Sequence, residues 1–163
     1  MNGIDVLTDL AQRPLDALAA VPELSVEEAN AHRGGHPNSI TWLLWHTGRM
    51  ADMQLAQLSG EPELWAGYAL SLPDEMGYGH SPEQARAVQV ANAEELAGLH
   101  EYVSASLQAV GEYVARLDEA SLDEVIDTSW TPHVTRGVRL VSILDDAAQH
   151  LGALNHVAHM PAE

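Results

Sequence analysis

Leu140-Val141-Ser142-Ile143-Leu144-Asp145-Asp146-Ala147-Ala148-Gln149-His150-Leu151-Gly152-Ala153-Leu154 is the stretch that decides the fold. Leu140, Ile143, Leu144, Ala147, Leu151 and Leu154 recur every three or four residues, the period of a helix face and not of a strand. The pattern predicts a helix from about Thr135 or Arg136 to about His159. Asp146 and His150 stand one turn apart on the flank of this apolar stripe and project to the same side. A carboxylate in that place loses hydration and needs a compensating partner. A cation shared with a third ligand would satisfy both residues.

Working outward, Ile4, Leu7, Ala11, Leu15 and Leu18 predict a first helix over about Ile4 to Ala20, kinked or ended by Pro14. Gly34-Gly35 and His36-Pro37 mark a loop. Asn38 or Ser39 is placed to cap a second helix running to about Leu58, stopped by Ser59-Gly60. Ser81-Pro82-Glu83-Gln84 has the form of a capping box with Pro in the first helical position. An interruption is expected near Asn92. Leu96, Leu99, Val103, Leu107, Val110, Val114 and Leu117 then continue a third stripe. Between Asp118 and Trp130 a short turn of helix at most is expected. No segment alternates with period two over a useful length. The expected fold is all-α: a four-helix bundle in one domain over residues 1–163, with a long loop and short-helix excursion between the second and third long helices.

Composition narrows the function. The chain has 163 residues, 46% of them hydrophobic, which is enough for a real core. A net charge of −17, with no Lys and seven scattered Arg, argues against nucleic acid and against anionic membrane surfaces. No apolar run approaches the roughly 18 residues that a membrane span needs. The start MNGIDVLTDL has no leader character, so a cytoplasmic location is expected. There is no Cys, so any thiol chemistry has to use a thiol from outside the chain.

His46 is the candidate third ligand. It lies on a stripe with Trp42, Arg49 and Met53, among Leu43, Leu44 and Trp45. One carboxylate and two imidazoles suit a divalent metal such as zinc, with nickel, iron, cobalt or manganese also compatible, better than magnesium or calcium. Three protein ligands leave positions open for water or substrate. The same residues also fit a packed histidine beside a tryptophan and a solvated Asp-Asp edge. His156 and His159 form a competing pair at the chain end.

Ser39-Ile40 followed by Trp42-Leu43-Leu44-Trp45-His46-Thr47-Gly48-Arg49 resembles the second-helix signature of the DinB-like superfamily. Val134 to Ser142 followed by Asp145 to Gly152 resembles its last helix. Gly77-Tyr78-Gly79-His80-Ser81 resembles the branch related to the metal-binding domain of mycothiol-dependent maleylpyruvate isomerase. The resemblance implies an up-down-down-up bundle, a metal held by His46, Asp146 and His150, a low-molecular-weight thiol cosubstrate such as mycothiol or bacillithiol, and a homodimer. The isomerase has Glu where this chain has Asp146, and it carries a second domain that supplies an Arg to catalysis. The sequence here ends at Glu163, so maleylpyruvate isomerisation is not expected.

The expected activity is metal-dependent thiol S-transfer to a small-molecule electrophile. Arg49 is placed to pair with Asp146, to hold an anionic substrate group, or to orient a ligand through a buried salt bridge. Tyr78 and His80 are candidates for a lid over the site or for an ordinary structured loop. The alternatives are a non-catalytic, stress-associated metal-binding dimer, a metal hydrolase, or a two-His-one-carboxylate iron oxygenase.

Overall fold

Four long amphipathic stripes bury themselves against one another, as the sequence leads one to expect. The computed structural model describes residues 1–160; the last three residues of the expected domain lie outside them. Among these are six α-helices: α1 (Gly3–Ala19), α2 (Val26–Asn30), α3 (Ile40–Ser59), α4 (Pro82–Ala87), α5 (Ala93–Ala115) and α6 (Arg136–Ala158). Helices α1 and α3 each pack against both α5 and α6. The order around the bundle is therefore α1, α5, α3, α6. No helix among the described residues is long and apolar enough to cross a membrane.

Side-chain caps set the helix starts. The Ser39 hydroxyl accepts from the Trp42 amide at 3.1 Å. Asn92 accepts from Glu95 at 2.9 Å, which starts α5 after the expected break. Ser81 and Gln84 close the expected capping box of α4, and Gly60, at φ 75°, ends α3.

Three features differ from the sequence expectation. Pro14 does not end α1, which continues to Ala19. Pro14 lies on the same buried face as Leu7, Ala11 and Leu18, and burial of that face offsets the lost backbone hydrogen bond. A short helix, α2, occupies part of the stretch before Gly34, started by a reciprocal Ser25–Glu28 box. A two-stranded antiparallel sheet pairs β1 (Val125–Asp127) with β2 (Val134–Thr135). Strands this short cannot show a period in sequence.

The core is built around α3, which is buried along its whole first half, Ile40 to Asp52. Its own Trp45 is fully buried, and so are Leu99, Tyr102, Leu107, Leu140 and Leu151 from α5 and α6. Gly48 allows the Tyr102 ring to lie against α3: a Cβ at Gly48 would stand 2.6 Å from Tyr102 Cε1.

One face of α3 holds the excursion between α3 and α4 in place. The Asp52 carboxylate accepts from the amides of Leu64 and Trp65, at 2.9 and 3.0 Å. The Trp45 indole N–H donates to the Pro73 carbonyl at 3.0 Å. Arg49 is fully buried. Its guanidinium reaches Asp74 at 2.7 Å, Glu63 at 2.9 Å and the Glu75 carbonyl at 3.2 Å, and it lies over the Trp65 ring at 4.7 Å. Tyr102 donates to Asp52 at 2.9 Å and accepts from Arg49 at 3.3 Å. Burial and the Asp52 carboxylate push the Tyr102 hydroxyl above the ordinary tyrosine range, against the opposing pull of Arg49.

Candidate metal centre

The excursion and the bundle meet at His46. Its Nδ1 makes a short hydrogen bond with the Met76 carbonyl. A carbonyl only accepts, so Nδ1 carries a proton and Nε2 faces the other way, toward α6. The Trp42 indole lies parallel to the imidazole, with ring centroids 4.7 Å apart, and fixes its plane.

Across from it, α6 presents Asp146 and His150 from successive turns. His46 Nε2 stands 3.6 Å from Asp146 Oδ2, and His150 Nε2 stands 3.4 Å from Asp146 Oδ1. One atom from each residue lies within 4.8 Å of the other two. The His46 side chain is 7% exposed, Asp146 29% and His150 28%. The centre is thus closed on the α3 side and partly open on the α6 side.

The residues fit a cation. Asp146 Oδ2 is buried and has no hydrogen-bond partner among the described residues. The nearest group from α3 is the His46 imidazole, whose Nε2 stands 3.6 Å away, beyond hydrogen-bond reach. Leaving such an oxygen uncompensated is costly. Ligands about 2.1 Å from a tetrahedral ion stand roughly 3.4 Å apart, and one atom from each of the three residues already lies within 4.8 Å of the other two, so an ion would need to draw them only slightly closer. Burial raises the Asp146 pKa, but His150 and His46 outweigh it and hold the carboxyl down at about 2. The carboxylate is therefore ready to bind a cation at neutral pH.

The other candidates take different places. The hydrogen bonds and ion pairs of Arg49 go to the excursion, to Asp52 and to Tyr102, and none among the described residues reaches Asp146. A carboxylate-rich excursion wraps its guanidinium, which leaves it no open donor for a substrate anion. His80 lies behind Trp42: the Trp42 indole N–H donates to His80 Nδ1 at 3.2 Å, and His80 Nε2 donates to Glu75 at 3.1 Å. It buttresses the ring that stacks on His46. Tyr78 is 91% exposed. His156 and His159, the competing pair, are not part of the cluster.

Sequence reasoning placed Trp42 on the stripe of His46 without assigning it the stacking role. It had no means of finding Met76, because a backbone carbonyl leaves no mark in residue identity. Gly77 is the indirect signal. Its φ of 77° and its approach to Trp45 turn the chain so that the preceding carbonyl faces α3.

Fold and site together define an all-α bundle with a His–Asp–His cluster between its second and last long helices. The chain belongs to the DinB superfamily, whose sequence model matches residues 9–154. It is also similar to a crystal structure described as a conserved protein of locus from Enterococcus faecalis. The two share 36% sequence identity and superpose with a TM-score of 0.74, over 97% of this chain and 96% of that one. No curated protein matches it. The family and the cluster together suggest divalent-metal binding.

Proposed function

We propose that the protein is a metal-dependent thiol S-transferase, with His46, Asp146 and His150 as ligands and zinc the metal best suited to them. The observation that carries this reading is the Asp146 carboxylate, flanked by one imidazole at each oxygen on a partly open face, with Oδ2 lacking a hydrogen-bond partner among the described residues. A divalent cation held there supplies Lewis acidity that favours the thiolate form of a small thiol bound at an open position. Met76 holds His46 in the tautomer that ligates, and such supporting contacts are commonly worth about 10–100-fold in metal affinity. Trp42 shields one face of that ring from water. The absence of Cys keeps the chain from competing with the external thiol.

The test uses protein purified without a His tag. Zinc, nickel or manganese should raise its thermal midpoint, and the loaded protein should consume thiol in the presence of a model electrophile such as methyl iodide. His46→Ala and Asp146→Ala should abolish both effects. Thiol consumption by the variants at the wild-type rate would sink the proposal. Since two His and one carboxylate also suit ferrous iron, iron-dependent oxygen uptake without thiol consumption would favour an oxygenase instead.

A further inference from the structure

A groove of about 400 Å³ runs between α3, α6 and the two loops that carry Tyr78 and Trp130. Its volume falls within the range of ordinary small-molecule pockets. Its walls are unusual for a surface. Tyr78 is 91% exposed, Trp130 65% and Val138 56%. The other three tryptophans, Trp42, Trp45 and Trp65, are buried.

Neither aromatic is exposed because its backbone is loose. Gly77 is seated against Trp45, and the chain leaves that contact with Tyr78 facing outward. Asp127 accepts from the Ser129 amide at 2.9 Å and from its hydroxyl at 2.6 Å, which fixes the turn just before Trp130. The backbone is thus fixed next to both residues, and both rings are largely uncovered.

The groove adjoins the candidate metal centre. Met76 belongs to both, since its carbonyl holds His46 while the residue lines the groove. On α6, Ser142 lies one turn before Asp146. On α3, Gln54 lies two turns beyond His46.

The lining also sets the chemistry of the ligand. Arg139, the one cation on the groove wall, already pairs with Asp127 at 3.4 Å. The chain carries −17 overall, so an anion is repelled. The polar groups left are the neutral amides of Gln54 and Gln57 and the Ser142 hydroxyl. Aromatic faces and a thioether favour a flat ring over a saturated one of the same size.

We propose that this groove binds an uncharged aromatic ring and holds the ring of the electrophile beside the metal centre. The assignment to the electrophile rests on the thiol-transfer reading, whereas ring binding itself does not and is measured separately.

Trp130 supplies the probe, because it is the exposed tryptophan and should account for most of the emission that acrylamide can quench. Benzyl alcohol is titrated into the metal-free and the zinc-loaded protein, with excitation at the red edge of tryptophan absorption. Saturable loss of most of the acrylamide quenching is expected in both states. Cyclohexylmethanol and benzoate should protect far less. Val138→Glu, a change at an exposed helix position that leaves the core intact, should remove the protection without altering the circular dichroism.

Absence of protection, or equal protection by cyclohexylmethanol, overturns the proposal. So does protection that grows with protein concentration in the absence of probe, alongside dimer formation in sedimentation, because the groove is then a self-interface. If benzyl alcohol protects while no thiol is consumed with any electrophile, the groove stands and the transferase reading falls. If methyl iodide is turned over but benzyl alcohol gives no protection, the groove falls and the transferase reading stands.

Discussion

Gly77→Ala should damage both stability and metal affinity, whereas Gly79→Ala should cost only a little stability. Both glycines have φ near 77°, at 77° and 76°. An L-residue in the left-handed region costs about 1–2 kcal/mol, and both variants carry that strain. They differ in their surroundings. A Cβ at Gly77 would stand 2.5 Å from Trp45 Cζ3 and 2.9 Å from its Cη2, whereas one at Gly79 meets nothing within 4 Å. Trp45 is fully buried and cannot yield easily, so overpacking should add about 1–3 kcal/mol at Gly77 alone. The expected loss is then about 2–5 kcal/mol for Gly77→Ala against about 1–2 kcal/mol for Gly79→Ala. Because the Met76 carbonyl adjoins Gly77, relief of the clash should pull it off His46. Metal affinity should fall about 10–100-fold in Gly77→Ala and stay unchanged in Gly79→Ala. Urea denaturation gives the first comparison, and chelator competition for zinc gives the second. Equal destabilisation by the two variants would show that Gly77 is not seated on Trp45. Unchanged zinc affinity in Gly77→Ala would show that the excursion does not orient His46.

The ion-pair hub gives a second contrast. Arg49→Met should cost about 3–5 kcal/mol because it leaves Asp52 buried without its cation, whereas Asp74→Ala, at a residue 74% exposed, should cost less than about 1 kcal/mol; urea midpoints decide. Tyr102 predicts a pH dependence. Its pKa is raised from 10.0 in the folded protein, so the unfolded chain loses that proton first. Stability is complete below about pH 10 and declines as the pH rises further, and Tyr102→Phe should flatten that decline in urea midpoints taken from pH 8 to 11. Zinc at one hundred times its Kd should stabilise the wild type by about 2.7 kcal/mol and Asp146→Ala not at all, as differential scanning calorimetry would report.

The long helices were legible because their apolar stripes persist over several turns and their caps are side chains. Ser39 and Ser81 announce the starts of α3 and α4, while Asn92, legible in the sequence only as an interruption, is the cap of α5. The Ser25–Glu28 box was equally visible in principle, but it precedes too short an apolar run to be read as a helix. At the site, spacing brought Asp146 and His150 together, while placing His46 beside them required the fold. Arg49 shows the limit. On a helix wheel it shares a face with His46, yet its direction is set by Glu63 and Asp74, which lie far along the chain in an irregular stretch. Spacing along a helix states what a residue can reach, and the partners of an irregular segment decide what it does reach.

The excursion is gripped in large part by its main chain. Trp45, His46 and Arg49 take the carbonyls of Pro73, Met76 and Glu75, and Asp52 takes the amides of Leu64 and Trp65. Main-chain atoms are the same whatever residue carries them. The exposed side chains along this segment are therefore free to change while the ligand geometry stays fixed, whereas Gly77, the carboxylates that face Arg49, the buried Trp65 and Leu72, and His80 behind Trp42 are constrained. Such a scaffold separates the part that must be inherited unaltered from the part that selection can vary. Substitutions at exposed positions such as Tyr78 then reshape the groove wall without rebuilding the centre.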